Sequence, residues 1–321
     1  MKAPLVVAAA FLCLALDVHA SEVFGYPPSP SGGLITSSWV SPNGSDADMY
    51  AWDDFTLSRT QSITEVRWRG GYAYGAAYGH VSDFTVAFFA STAGNTQPLV
   101  TNPEFPEPYL ASYHVGGNAG ETPAGVAGGV QMYDYAFRLP TPFVATGGVK
   151  YWIRIEGYQS TVPDWGLSMG TGGDGSYFRF STGMAMFQFV PGDTSFRLLA
   201  RWADLGSAKA GVNGSPSLAG TGALTPSSAG TLTLVNAANS STAFLALGAN
   251  AMNVPFMGGV LVPNPQVVAA LATDATGKIT SPFTIPAGTP AGIDAWVQYW
   301  IADATATHGY SASNALLATT Q

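Results

Sequence analysis

The sequence predicts an all-β protein with two domains: a jelly-roll-like β-sandwich followed by a smaller immunoglobulin-like β-sandwich. The 321 residues include 38 Gly and 22 Pro, and only 10% of them are charged. A chain with so many turn-forming residues and so few Glu, Lys and Arg favours short strands over long exposed helices. Apolar residues recur with period two, which is the pattern of half-buried strands, and the charge density falls near residue 206.

Residues 1–20 have the features of a secretory signal peptide. Lys2 precedes an apolar run from Pro4 to Leu16, and Val18-His-Ala20 has the small-x-small pattern that precedes a cleavage site. We therefore expect a secreted protein, extracellular or held non-covalently at the cell surface. Its mature chain would begin at Ser21.

Residues 21–205 are predicted to form the jelly-roll-like domain. In residues 131–137 the alternation places three aromatic side chains on one face. Residues 150–156 alternate similarly, with three side chains pointing away from the inward apolar face: Trp152, Arg154 and Glu156. The same pattern marks strands near 52–57, 63–69, 84–89, 109–115, 177–180, 186–190 and 195–202. About ten short strands separated by Gly and Pro turns are typical of a jelly roll.

Residues 206–214 are predicted to be a linker, because they are small and turn-forming residues with little side chain to pack. In residues 215–321, only four residues are Asp, Glu, Lys or Arg: Asp274, Lys278, Asp294 and Asp303. Alternation predicts strands near 231–235, 243–247, 259–262, 267–272, 278–285 and 295–302. This spacing suits a small immunoglobulin-like sandwich, and the largely apolar residues 295–301 suit a central strand buried on both faces.

Several segments of both domains resemble those of exported bacterial proteins. In the first domain they are Trp52-Asp-Asp-Phe55-Thr-Leu, Val66-Arg-Trp68-Arg-Gly-Gly-Tyr72, Phe84-Thr-Val-Ala-Phe, Tyr151-Trp152-Ile-Arg-Ile and Trp165. In the second they are Leu245-Ala-Leu-Gly248, Pro255-Phe-Met-Gly-Gly259, Thr273-Asp-Ala-Thr-Gly277, Gln298-Tyr-Trp-Ile-Ala-Asp303 and Ser313-Asn-Ala-Leu316. Through them the chain is similar to an uncharacterised family of exported bacterial β-sandwich (jelly-roll-like) proteins with a C-terminal immunoglobulin-like domain. The resemblance implies a fold and an extracellular location, and no activity.

The charge balance excludes nucleic acid as a partner. The net charge is −8 and the isoelectric point is near 4.8, so the basic stripe that neutralises phosphates is missing. No segment after the signal peptide has the ~20 uninterrupted apolar residues of a membrane span, so we expect no membrane insertion. Because Cys13 lies in the signal peptide, the mature chain would have no thiol for a zinc site or a nucleophile.

Asp46 and Asp48 are the candidate metal ligands, and calcium is the one cofactor that the sequence suggests. Carboxylate oxygens are the ligands that calcium prefers, and sandwich domains hold it at loop edges. Asp53 and Asp54 are neighbours on a predicted strand and would point to opposite faces, so they are not expected to act together. The alternative interpretation is solvated loop acids with one buried, hydrogen-bonded Asp.

The segment from residue 69 to residue 80 is the candidate ligand-binding loop. It places Tyr72, Tyr74 and Tyr78 among glycines that cannot cover them, next to His80. Exposed aromatic rings of this kind stack on the apolar faces of sugars. Trp165, in a Pro-Asp-Trp-Gly turn, would supply a second aromatic platform. The alternatives are tyrosines that fold back onto the sandwich and a tryptophan that closes the end of the core.

No catalytic residues are predicted. The dinucleotide-like letters of residues 170–175 are followed by a predicted strand rather than a helix, so we interpret them as a turn that needs positive φ. His80, His114 and His308 are the histidines of the mature chain, and none lies in a catalytic motif. Two facing carboxylates would suffice for glycoside hydrolysis, and sequence spacing does not exclude them.

Two functions from different classes follow from these patterns. The first is a non-enzymatic structural or adhesive component of an extracellular layer, in which the nearly uncharged second domain packs against partners with little charge repulsion. The alternative is a carbohydrate-binding, lectin-like module, with calcium fixing a loop. The expected partners are glycans or other extracellular surface components.

Overall fold

The computed structural model describes residues 21–102 and 107–321, and the predicted signal peptide lies outside the described residues. Within them the chain forms 26 strands and one 3-10 helix, η1 (Thr307–Gly309). The all-β prediction is therefore confirmed. The described residues divide into two compact units between Leu199 and Ala200. Glu22–Leu199 form the N-terminal unit, and Ala200–Gln321 together with Ser21 belong to the C-terminal unit.

The strands before the division number fifteen. They are β1 (Ser21–Tyr26), β2 (Leu34–Thr36), β3 (Ser38–Val40), β4 (Met49–Thr56), β5 (Gln61–Tyr72), β6 (Asp83–Ala90), β7 (Ala111–His114), β8 (Thr122–Ala127), β9 (Val130–Ala145), β10 (Lys150–Gln159), β11 (Trp165–Gly170), β12 (Ser176–Ser181), β13 (Met186–Pro191), β14 (Asp193–Thr194) and β15 (Phe196–Ala200). They form two sheets, which we call sheet A and sheet B.

Sheet A has eight strands in the order β1-β15-β5-β11-β14, with β2 paired to β11 and the β8–β9 hairpin paired to β5. Sheet B has seven strands in the order β13-β12-β4-β3-β10-β6-β7. One apolar core draws on both sheets, including Trp68 and Trp165 of sheet A and Phe55, Phe84 and Ile153 of sheet B. The N-terminal unit is therefore a β-sandwich.

The other face of sheet B, which points away from this core, is also buried. Trp152, Arg154 and Glu156 lie on it, as the alternation of β10 predicts, but they are not solvent-exposed. Trp152 packs there in an aromatic cluster with Tyr50, Trp52, Phe89, Phe178 and Phe180, which project from neighbouring strands of the same sheet. Period two identified the two faces of the strand, and it did not show that large side chains of the same sheet bury the second face.

The C-terminal unit contains eleven strands. They are β16 (Trp202–Gly206), β17 (Ser217–Gly222), β18 (Ala229–Val235), β19 (Thr242–Gly248), β20 (Ala251–Phe256), β21 (Gly259–Pro263), β22 (Val267–Ala272), β23 (Ile279–Thr284), β24 (Asp294–Ala302), β25 (Tyr310–Ala312) and β26 (Ala315–Thr319). Six form a sheet in the order β16-β26-β24-β19-β22 with β25 paired to β24, and β17-β18-β23 form a second sheet. Their facing side chains form one core, so this unit is also a sandwich.

β24 lies at the centre of the six-stranded sheet, where it pairs with β19, β25 and β26. Val297, Tyr299 and Trp300 are buried, as expected of a strand covered on both faces. In the stretch predicted as a linker, Lys209 exchanges two backbone hydrogen bonds with Ala312. Among the described residues, no helix has the length and apolar character to cross a membrane.

Candidate functional site

The loop between β5 and β6 presents two aromatic rings to solvent. Tyr74 is 64% exposed and Tyr78 is 42% exposed. Their ring centroids lie 5.6 Å apart and the ring planes meet at 88°, an edge-to-face arrangement. We call the exposed surface of Tyr74, Tyr78 and the neighbouring His80 the tyrosine surface.

Backbone contacts, rather than the tyrosine rings, hold this loop in place. Gln159 Nε2 donates to the carbonyl oxygen of Gly79 at 3.0 Å, and Thr161 Oγ1 donates to that of Tyr78 at 2.7 Å. Gln159 is buried and also donates to Asp164 Oδ1 at 2.6 Å. The loop conformation is therefore fixed by the buried Gln159 and the exposed Thr161, neither of which contacts it through the tyrosine rings.

Glu121 supports the third member of the tyrosine surface. Its Oε1 lies 2.6 Å from Nδ1 of His80, whose side chain is 54% exposed whereas that of Glu121 is 7% exposed. Its Oε2 accepts hydrogen bonds from the hydroxyls of Tyr72 at 2.6 Å and Tyr135 at 2.8 Å. Trp165 Nε1 in turn donates to the Tyr135 hydroxyl at 3.1 Å. A chain of hydrogen bonds thus runs from the core to an exposed imidazole.

The protonation state of the two phenols in this network follows from their burial. Burial raises the pKa of Tyr72 and of Tyr135, and the carboxylate of Glu121 raises both further. Both phenols are therefore neutral donors at neutral pH. Glu121 uses one oxygen to accept from them and the other to face His80, which orients the imidazole.

Of the five residues predicted to bind ligand, the structure exposes three on the β5–β6 loop, Tyr74, Tyr78 and His80, and it brings the rings of the first two into contact. Tyr72 lies beneath them with its ring buried in the core. Trp165, predicted as a second platform, is instead 0% exposed and presents no face to a ligand. A Cβ at Gly70 would lie 2.7 Å from the Trp165 ring, so the backbone of β5 passes directly against it. Tyr72 and Trp165 therefore support the site.

The two predicted calcium ligands lie in different environments. Asp48 is buried, and its carboxylate accepts hydrogen bonds from Val40 N at 3.0 Å, Ser45 N at 2.6 Å and Ser45 Oγ at 2.7 Å. Asp46 is exposed. Nowhere in residues 21–102 and 107–321 do three or more His, Cys, Asp or Glu side chains form a group that could hold a metal. The contacts of Asp48 match the alternative of a buried Asp that shapes its loop.

Asp53 and Asp54 have separate partners, as neighbours on a strand should. Asp53 Oδ2 accepts from Thr194 Oγ1 at 2.9 Å, and Asp54 Oδ2 lies 2.8 Å from Lys150 Nζ. Burial raises the pKa of Asp53, and it raises the pKa of Asp54 to about 6 although Lys150 opposes that shift. The two carboxyls do not form a joint site.

The glycine-rich segment before β12 is a turn, as predicted. Gly172 and Gly175 have φ of 92° and 80°, which other residues rarely adopt. Asp193 Oδ2 accepts from Gly173 N at 3.2 Å, and its Oδ1 accepts from Gly175 N at 2.9 Å. These backbone amides, which would otherwise be donors for a phosphate, are therefore bonded to a carboxylate of the chain itself.

A second surface feature of the N-terminal unit is an open groove. It is lined in part by Lys150, Trp152, Asp174, Phe178 and Phe189. Lys150 Nζ lies 5.1 Å from the centroid of the Trp152 ring and 3.2 Å from Asp174 Oδ2. Phe189 is 59% exposed, whereas the Trp152 and Phe178 rings are buried. With one exposed ring, this groove is a weaker platform than the tyrosine surface.

The sequence did not identify Glu121, Gln159 or Asp164 as parts of the site. Glu121 follows a glycine-rich stretch without a motif, and it meets His80 from 41 residues away. Gln159 and Asp164 flank the turn before Trp165. The Pro-Asp-Trp-Gly sequence indicates a turn there, but it does not indicate that these two side chains hold the β5–β6 loop. Contacts between distant loops leave no periodic pattern, so these residues could be found only from the fold.

Comparison with known proteins shows that part of the chain matches a family model. No curated protein matches the chain. Residues 27–172 match the family model described as "Domain of unknown function (DUF7901)". The matched range contains the tyrosine surface, Glu121 and Trp165. The larger part of the N-terminal unit, with the whole candidate site, is therefore similar to this uncharacterised domain family.

Proposed function

We propose that this is a secreted, non-enzymatic adhesive protein whose N-terminal unit binds carbohydrate on the tyrosine surface. The observation that carries the proposal is the pair of exposed, perpendicular rings of Tyr74 and Tyr78 on a loop fixed by its backbone. Binding of a ligand to these rings costs little conformational entropy of the protein, because the loop is already ordered.

The chemistry of the surface suits a sugar. A pyranose has an apolar face, which stacks on an aromatic ring, and a rim of hydroxyls, which needs hydrogen-bonding groups nearby. Tyr74 and Tyr78 supply the rings and their own phenolic hydroxyls. The Nδ1 of His80 faces Glu121, which leaves Nε2 of an exposed imidazole for a ligand hydroxyl.

The first test is a glycan array with the mature chain, followed by titration of any glycan that binds. Tyr74→Ala and Tyr78→Ala are each expected to weaken binding about tenfold, because one aromatic contact contributes up to about 1.5 kcal/mol. The melting temperature should not change, since both rings are exposed. Phe189→Ala is the matched control, because it removes an equally exposed ring in the open groove.

Three outcomes would count against this site. An array with no glycan bound at all would end the carbohydrate hypothesis. Loss of binding in Phe189→Ala but not in the tyrosine variants would move the site to the groove. Equal affinity of Tyr74→Ala, Tyr78→Ala and the unmodified chain would show that the rings do not contact the glycan.

A structural role through self-association is a second candidate function, and the edge strand β22 favours it. Val267–Ala272 lies at one end of the six-stranded sheet and contains no charged residue and no proline. Val268 is 60% exposed. Edge strands usually carry charges, prolines or bulges that prevent pairing with a strand of another chain. β22 carries neither charges nor prolines. We propose that a second copy of the chain pairs with it.

Val268→Lys is expected to reduce this association, because it places a charge on the exposed edge. Light scattering over a concentration series should show dimers or larger species of the unmodified chain and a shift toward monomer in the variant. Val126→Lys, at a similarly exposed valine of the N-terminal unit, is the control. A strict monomer of the unmodified chain at every concentration would rule out the second role.

A further inference from the structure

The C-terminal unit contains an apolar cavity between its two sheets. Its volume is about 350 Å³, which lies in the range of sites for small molecules. The six-stranded sheet contributes one wall and the three-stranded sheet the other, with the segment after β23 at one side. The main lining side chains are Trp202, Leu247, Ala269, Phe283, Val297 and Ala318.

Small side chains on the six-stranded sheet create this space. At the filled end of the core, Leu218, Leu234 and Tyr299 pack in one cluster. At the other end, Ala295 and Ala318 are directly paired residues of β24 and β26 and both line the cavity. Protein interiors are normally close-packed, so a gap of this size inside a sandwich is unusual.

The lining determines which ligand fits. It contains no charged residue, and its polar side chains are hydroxyls such as those of Ser281 and Thr320 together with the Trp202 indole. Trp202 Nε1 is buried and has no hydrogen-bond partner among the described residues. Because this nitrogen is buried, it does not face the open space of the cavity, and a ligand for this site is an apolar body. An apolar lining of this kind favours apolar ligands.

We propose that this cavity binds the alkyl chain of a fatty acid or an acyl ester, with the polar head group at the opening to solvent. A flexible chain fits the slot between two sheets. Val267, which lines the cavity and is partly exposed on edge strand β22, places an opening to solvent there. This binding is independent of the tyrosine surface and goes beyond the proposed carbohydrate function.

The test uses tryptophan fluorescence of the mature chain, because Trp202 lies in the cavity wall. Bromododecanoic acid is expected to quench the emission saturably, and unbrominated dodecanoic acid should compete. Ala269→Phe and Ala318→Phe fill the cavity and are each expected to weaken binding at least about tenfold. Ala270→Phe is the matched control, because Ala270 is exposed on the opposite face of the same strand.

A second arm separates two sources of the chain. Vesicles of brominated phosphatidylcholine replace the free acid, and quenching by them would show that the site takes acyl chains from a bilayer. Quenching by the free acid alone would show that it takes soluble chains. The proposal fails if neither probe quenches, or if Ala269→Phe binds as well as the unmodified chain. Melting curves show whether a variant is folded, and Trp202→Phe should abolish most of the quenching.

Discussion

Replacement of Trp165 by alanine is expected to lower the free energy of unfolding of the N-terminal unit by about 3–5 kcal/mol. Trp165 is fully buried, and its ring meets Phe84 edge-to-face with centroids 4.9 Å apart. Alanine would leave a cavity of nearly a whole indole, since the backbone of Gly70 and the surrounding strands cannot close it. Urea unfolding followed by circular dichroism measures the change.

The same substitution also separates the two interpretations of Trp165. As a support of the site, it acts through the hydrogen bond to Tyr135 and so through Glu121. Trp165→Phe keeps most of the ring and removes the donor, and it should cost about 1 kcal/mol for that bond in addition to a smaller packing loss. A cost below about 1 kcal/mol for Trp165→Ala would contradict a core position, since exposed residues show such values. Tyr109→Ala, at an exposed ring, provides that reference value.

Arg154→Met is expected to destabilise the N-terminal unit by about 3–5 kcal/mol at neutral pH, because it leaves a buried carboxylate without its counter-charge. Arg154 Nη2 lies 3.0 Å from Glu156 Oε2, and both side chains are buried on the outer face of sheet B. The guanidinium also lies 5.0 Å from the ring of Tyr50 and 5.8 Å from that of Phe89. Methionine can replace its packing volume but not its charge.

The effect of Arg154→Met should depend on pH in a defined direction. Burial raises the pKa of Glu156, and the charge of Arg154 opposes that shift. When burial raises the folded-state pKa of a carboxyl, the free energy of unfolding falls as the pH rises from the ordinary pKa to the raised one, because in that range only the unfolded chain is ionised. Without Arg154 the folded-state pKa rises further. The cost that depends on pH should thus be absent below the ordinary glutamate pKa of 4.5 and should grow once the pH exceeds the raised pKa of Glu156 in the unmodified chain.

Unfolding free energies of the unmodified chain and of Arg154→Met, measured from about pH 4 to about pH 8, test this dependence. The double variant Arg154→Met/Glu156→Gln should recover much of the lost stability at the upper end, because no charge is then left buried. If Arg154→Met is as stable as the unmodified chain at the upper end, the ion pair does not contribute as described.

Sequence patterning predicted the strands that combine large apolar side chains with alternation. β22 was predicted with its observed bounds, and β24 differs by one residue. β9 extends from Val130 to Ala145, well beyond the predicted 131–137, because Pro140 and Pro142 interrupt the apolar pattern. Strands made of small residues, such as β17 (Ser217–Gly222), were missed because nothing in their letters distinguishes them from a loop. These strands form because they pair with a neighbouring strand, and residues distant in sequence determine that pairing.

The candidate site was predicted in part for a similar reason. Tyr74, Tyr78 and His80 lie on one loop, so a local pattern of exposed aromatics among glycines was sufficient. The position of Trp165 depends on how β11 packs against β5, which no spacing in the sequence encodes. Glu121 reaches the site from a distant loop and was not predicted at all.

The way the β5–β6 loop is anchored has a consequence for how recognition could diverge. The side chains of Gln159 and Thr161 hold carbonyl groups of the loop, and every residue type supplies a carbonyl. Positions 74 and 78 are therefore free to exchange their side chains while the peptide path stays the same. Related chains could acquire new ligand preferences through two substitutions, without any adjustment of the sandwich beneath them.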